Sequence, residues 1–314
     1  MNNFQDKVFQ TPILLIIFNR PDTTAEVFEV IKKVKPTKLF IAADGPRPEK
    51  QGEEFLCQKA KEVVINSIDW HCDVKTLFRE NNLGCGRSVS GAITWFFDSV
   101  EMGIIIEDDC KPHLDFFTYC EILLAKYERD DRVALISGDN FQAGKKRGDA
   151  SYYFSAYNNI WGWASWRRVW RNFKLDVNEL DKDKIFREID VLFSSKPEKD
   201  CWKEMFLKMS RKEIDTWDYP FLFSIWNKKQ YCILPNKNLV SNIGFSSNAT
   251  HASDDNSPLS NMRTESILPL VHPLEIKQDK NADHFYFYKY VRPKKSFIKG
   301  VIYKINNKIR RIMK

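Results

Sequence analysis

Long apolar runs are missing from this chain of 314 residues. No stretch approaches the length needed to span a bilayer as a helix. The opening MNNFQDKVFQTP has no charged stretch followed by an apolar core, so no secretory signal is read there and a cytoplasmic protein is expected. Paired cysteine motifs are missing too. The 7 cysteines (Cys57, Cys72, Cys85, Cys110, Cys120, Cys201, Cys232) show neither CxxC nor zinc-type spacing, which leaves reduced, mostly buried thiols. Glycine is sparse, at 12 residues, and no GxGxxG or P-loop pattern occurs. Gly84-Cys85-Gly86 has the wrong spacing after it, which excludes the usual dinucleotide and ATP cradles. Acidic residues are absent from Lys289 to Lys314, a segment with ten basic residues. The rest of the chain therefore carries a net −3 against +7 for the whole. That distribution argues against a nucleic-acid-binding body and for a local patch facing an anionic surface.

What is present is a soluble-protein balance of 43% hydrophobic and 29% charged residues. PILLIIF (Pro12 to Phe18) is continuous rather than alternating, as in a strand buried on both faces. Thr23-x-x-Glu26 is a capping-box pattern, followed by Val27, Val30, Ile31 and Val34 at helical spacing. Lys38 to Ala43 reads as the second strand, Glu53 to Ile68 as a helix and Asp73 to Phe78 as a strand. Val89, Ala92, Ile93, Phe96, Phe97 and Val100 mark an amphipathic helix. Gly103 to Ile106 reads as a strand that Glu107-Asp108-Asp109 stops, and Phe116 to Tyr127 as the next helix. This rhythm predicts an α/β fold with a mainly parallel sheet, in which ligands bind beyond the carboxyl ends of the strands. Asn19-Arg20, Asp44-Gly45 and Glu107-Asp108-Asp109 each fall there. Further strands are expected at Val133 to Ser137, Tyr152 to Ala156 and Tyr231 to Leu234. Helices are expected at Lys182 to Phe193, Glu198 to Met209 and Trp217 to Trp226. One domain is read over 1–255, then an extension over 256–288 and a basic amphipathic tail over 289–314.

Three consecutive acids at the end of a buried strand repel one another, and a divalent cation removes that cost. Hard oxygen ligands suit Mn²⁺ or Mg²⁺, which take one or two carboxylates and fill the rest of the shell with diphosphate oxygens and water. The competing reading is a solvated acidic turn. FNR (Phe18 to Arg20), AADG (Ala42 to Gly45), IIIEDD with DFFTYCEILL (Ile104 to Leu124), Gly162-Trp163 and a downstream WD together resemble the GT-A fold nucleotide-sugar glycosyltransferases. They are most similar to the inverting N-acetylglucosaminyltransferase I group and to bacterial relatives of surface-polysaccharide synthesis, over about residues 11 to 255.

The resemblance implies a UDP-sugar or related donor, with Phe18 and Arg20 near the nucleotide and Asp44 on the base. It implies Glu107 and Asp108 on ribose and sugar, and Asp109 as the metal ligand. An inverting transfer needs a base on the acceptor side, for which Asp218 is the candidate and Asp215 the reserve. A helix cap is the other reading of Asp218. Trp161, Trp163, Trp166 and Trp217 are candidates for stacking on sugar faces, Trp163 first, or else core residues. Arg79 and Arg87 flank NNLGCG, where Arg87 is placed to meet a pyrophosphate. His251, in NATHAS, is either a group that closes over the diphosphate or an ordinary loop histidine. The tail sets Phe297, Val301, Ile305, Ile309 and Ile312 on one stripe among basic residues, the pattern of a helix lying on an anionic leaflet. The expectation is a metal-dependent glycosyltransferase, peripheral to the inner face of the membrane, with a glycan acceptor, lipid-linked or free. The alternatives are a sugar nucleotidyltransferase and a catalytically silent glycan-binding protein.

Overall fold

Five apolar residues in succession form β1 (Ile13–Ile17), and all five are buried because the strand lies inside a sheet covered on both faces. The chain then runs through α1 (Pro21–Val34), β2 (Lys38–Ala43), α2 (Glu53–Asn66), β3 (Asp73–Phe78), α3 (Cys85–Ser99) and β4 (Met102–Glu107). It continues through β5 (Cys110–Pro112), α4 (Leu114–Lys126), β6 (Val133–Ser137), β7 (Tyr152–Ser155), β8 (Trp163–Trp166) and α5 (Arg167–Trp170). The remaining elements are α6 (Lys182–Leu192), α7 (Lys196–Ser210), α8 (Asp218–Asn227), β9 (Tyr231–Pro235), β10 (Val240–Asn242) and α9 (Lys280–Tyr286). The computed structural model describes residues 8–245 and 257–292. His251 and the tail stripe from Phe297 to Ile312 lie outside the described residues. Among the described residues no helix is long and apolar enough to cross a membrane.

The main sheet has the order β3-β2-β1-β4-β8-β6-β9-β7. Six strands point the same way, and β8 and β7 run against them. The chain steps outward from β1 to β3 and then crosses back to β4. With right-handed crossovers, that reversal puts α1 and α2 on one face and α3 on the other. It also leaves a crevice at the carboxyl ends of β1 and β4, where ligands bind in such sheets. Ile16 is level with Ala42 on one side and Glu107 on the other, so the segments after β1, β2 and β4 emerge together.

The protein is thus a Rossmann-like mixed α/β fold, as its sequence leads one to expect. Two corrections concern elements. The cluster from Trp161 to Trp170 contains β8, inserted antiparallel between β4 and β6. The fourth strand runs through Glu107 rather than stopping before it. The described part of the C-terminal extension folds back on the sheet. Gln278 bridges to Phe154, and Ile267, Ala282 and Phe287 join the core.

Candidate functional site

At the carboxyl edge the three acids do not splay into water. Asp108 is 2% exposed, and its carboxylate accepts the Phe18 N–H at 3.0 Å and the Arg20 guanidinium. Arg20 also donates to Asp109 Oδ2 at 2.8 Å. Burial works against the charge on Arg20, but Asp108 and Asp109 hold it firmly protonated. A metal cation is therefore not alone in relieving the carboxylate repulsion, because the Arg20 guanidinium supplies the first share of it. One arginine does not balance three acids. Burial, then Asp109 and Asp108, push the Glu107 carboxyl up to about 8. Burial pushes Asp108 up to about 6 although Arg20 and the Phe18 N–H pull it down.

Acids at the ends of β2 and β4 and on the segment leading into α8 act together on Cys85. Burial raises its thiol to about 12, and Glu107, Asp218, Asp215 and Asp44 add to that in decreasing order. Asp44 is buried and accepts the Leu83 N–H at 3.0 Å, so it anchors the turn into α3. Asp215 lies against the first turn of α3: a Cβ built on Gly86 would meet Asp215 Oδ1 at 2.5 Å. The helix dipole favours a carboxylate there, which gives Asp215 a structural reason to exist. Asp218 opens α8, and Oδ1 accepts the Tyr219 N–H at 2.8 Å and the Thr216 hydroxyl.

Mn²⁺ or Mg²⁺ asks for few protein ligands. Among the described residues, no group of three or more His, Cys, Asp or Glu side chains forms a ready cage. The donor set still fits such an ion. Among the described residues Asp109 Oδ1 has only the weak Cys110 Sγ contact at 3.3 Å, and Asp108 and Asp109 share a single arginine with Glu107 close by. The segment after β10 closes over this pair. A Cβ on Gly244 would meet Asp109 Oδ2 at 2.4 Å and Arg20 Nη1 at 2.7 Å, so only glycine passes.

Several expected residues lie elsewhere. Trp163 is 1% exposed, packed on Trp217 at 5.7 Å and beside Phe221 and Trp170, so it is core and not a sugar platform. Trp166 and Trp217 are buried as well. Trp161 alone of the four keeps exposure. Arg87 projects from α3 into a groove of about 420 Å³ shared with Phe173 and Lys174, and no strand-end acid lines that groove. Arg79 Nη1 donates to Ser88 Oγ at 3.3 Å along the same helix.

Two residues escaped the sequence argument. Asp139 follows β6 at the same edge, fully buried. Its Oδ2 accepts the Trp161 N–H at 2.9 Å, while Oδ1 has no hydrogen-bond partner among the described residues. Burial pushes its carboxyl well above the usual range. It holds the turn in which Gly162 takes φ +68°, a conformation that favours glycine. The signal was available, since Ser137-Gly138-Asp139 ends a buried strand much as Ala43-Asp44-Gly45 does. Tyr286, from α9, stacks on Phe141 at 5.7 Å. Burial raises its hydroxyl pKa, with Tyr219, Asp139 and Asp218 adding to it, so the extension reaches the acidic edge.

No family model matches the chain, and no curated protein sequence matches it. Among solved structures it is similar to a UDP-glucose pyrophosphorylase complexed with UDP-glucose (8% identity, 72% of this chain and 90% of that one, TM-score 0.37). It is also similar to 4-diphosphocytidyl-2C-methyl-D-erythritol synthase from Anaerococcus prevotii (8%, 71% and 87%, 0.36). A third is a cytidylyltransferase from Leptospira borgpetersenii (10%, 65% and 73%, 0.32). Likeness at this level carries no argument about the chemistry of this chain.

Proposed function

We propose that the protein is a metal-dependent glycosyltransferase of GT-A type that moves a sugar from a nucleotide-sugar donor, such as a UDP-sugar, to a glycan hydroxyl. The observation that supports this is the convergence of Arg20, Glu107, Asp108 and Asp109 at the mouth of β1 and β4, with Asp44 and Asp218 around the same point. Glu107 and Asp108 offer acceptors for ribose and sugar hydroxyls. Arg20 is positioned to follow the charge of a diphosphate. A divalent cation at Asp109 would offset the charge that develops on the leaving diphosphate. On the opposite side Asp218, fixed by Thr216 and the Tyr219 N–H, takes the proton of the acceptor hydroxyl. The hydroxyl oxygen attacks the anomeric carbon, and the anomeric C–O bond breaks with its electrons on the diphosphate. Trp161 and Tyr286 offer partly exposed rings to the acceptor. Attack from the acceptor face inverts the anomeric centre, and the acceptors intended are cell-surface glycans made at the inner face of the membrane.

Nucleotidyl transfer is the rival on the same sheet. Only Phe18, Asn19 and Arg20 separate β1 from α1, none is glycine, and Arg20 is engaged by Asp108 and Asp109. A triphosphate finds little there to hold it. The test is to screen nucleotide sugars by thermal shift with and without Mn²⁺, then assay the donor that binds. Metal-dependent release of nucleoside diphosphate is expected. Pyrophosphate release would replace the proposal with nucleotidyl transfer, and binding of glycans without turnover would replace it with a silent glycan-binding protein.

A further inference from the structure

A cavity among the described residues lies away from the acidic edge. It is about 500 Å³ and is formed between the 145–147 segment and one face of the C-terminal helix, with Lys145, Arg147, His284, Phe285, Tyr288 and Lys289 in its lining. Along α9 and the π-helical turn Phe287–Val291 that continues it, His284, Phe285, Tyr288 and Lys289 face the same cavity. Tyr286 and Tyr290 turn the other way, toward Phe141.

Three cations surround one ring. Lys145 Nζ is 4.4 Å from the Phe285 centroid, Lys289 Nζ 5.3 Å and the Arg147 guanidinium 5.5 Å. Ring quadrupoles attract cations, but these three repel one another and no carboxylate lines the cavity. Arg147 is steered by Gln142 Oε1 at 2.8 Å. Glu198 faces His284 at 3.3 Å and is already bonded to Ser195 Oγ at 2.6 Å. Lys145 and Lys289 make no ion pair among the described residues. A phosphate oxyanion, with acceptor oxygens for more than one of these cations, is the ligand that relieves this excess.

We propose that this pocket binds the phosphate of an anionic phospholipid headgroup. Two observations favour a lipid over a soluble phosphate: the cavity opens at the surface with Phe285 and Tyr288 beside its cations, and the helix leads in sequence straight into the acid-free basic segment from Lys289 to Lys314. The proposal is independent of the transfer chemistry.

The test uses the full chain and co-sedimentation with phosphatidylcholine vesicles doped with phosphatidylglycerol. Lys145→Gln with Lys289→Gln is compared with Lys146→Gln and Lys280→Gln, which removes the same charge outside the pocket. The pocket pair should bind roughly tenfold or more weakly, at about 1 kcal/mol per basic residue near such a surface, and the control about twofold or less. Lys145→Arg with Lys289→Arg should restore binding. Equal losses in the two Gln pairs would overturn the proposal, as would vesicle binding that the pocket pair leaves unchanged. A thermal shift with glycerol phosphate, against sodium chloride of equal ionic strength, forms the soluble arm. Stabilisation there with unchanged vesicle binding would overturn the lipid assignment in favour of a soluble phosphate ester.

Discussion

Arg20 holds two carboxylates at once, and its side chain is 29% exposed against 3% for that of Asp108. Removing it leaves Asp108 buried and unpaired, the costly direction for an ion pair. Arg20→Met should therefore lower unfolding stability by roughly 2 to 3 kcal/mol, less than for a fully buried pair because solvent screens part of the interaction. Urea unfolding at neutral pH measures it, and a loss under about 0.5 kcal/mol would show that the pair contributes no more than a surface bridge. The two catalytic assignments separate on different readouts. Asp109→Asn should abolish the Mn²⁺-dependent thermal shift by the donor. Asp218→Asn should keep that shift while slowing nucleoside diphosphate release by about 10² to 10⁴, the usual contribution of a positioned base. Normal turnover in Asp218→Asn would remove Asp218 from the mechanism.

The ribbon of β10 and β5 places Asn242 opposite Cys110 and sets the chain at Gly244 directly over Asp109 and Arg20. A methyl group there must push one of them aside. Gly244→Ala should weaken metal-dependent donor binding about tenfold, equivalent to roughly 1.4 kcal/mol, and lower the ligand-free melting temperature as well, because Asp109 Cβ stands 2.6 Å from the added methyl; unaltered donor binding would mean that the ribbon does not shape the site. Much at this scale is legible in sequence. β1, β2 and β6 are short continuous apolar runs bounded by turn residues, and the acids and Arg20 stand out because they end such runs. β8 is not legible. WGWASWRRVW has no alternation, since both faces of β8 are covered and Trp163 and Trp166 are both core. The α9 helix was read only as part of an extension, because seven residues with two buried positions give little periodicity. Tyr286 is illegible for a related reason, since only the fold brings the C-terminal helix to the edge where β4 ends, whereas Asp139 carries a sequence signal in the strand end Ser137-Gly138-Asp139.

Across the whole molecule, one buried acid is among the contacts that join the described extension to the sheet. Asp283 accepts the Ser155 hydroxyl, the Ala156 N–H at 2.9 Å and Gln278 Nε2 at 2.7 Å. Burial outweighs these three bonds and raises its carboxyl from an ordinary 3.8 to about 6. Between those values the native state keeps a proton that the unfolded chain has released. By linkage, stability then falls as pH rises, and the contribution is complete below the unfolded value and gone above the folded one. At 1.36 kcal/mol for each pH unit, Asp283 accounts for a decline of roughly 3 kcal/mol between about pH 4 and pH 6. The strand-end acids Glu107 and Asp108 slope the same way, so the wild-type curve alone does not isolate Asp283. The difference between wild type and Asp283→Asn does, because the amide has no proton to lose in that window. Urea unfolding of both chains at intervals from pH 4 to pH 7 should show the wild-type advantage shrinking as pH rises and levelling above about 6. A difference that stays flat or grows with pH would mean that the native state holds Asp283 ionised, and that Ser155, Ala156 and Gln278 bind it as a carboxylate strongly enough to overcome its burial.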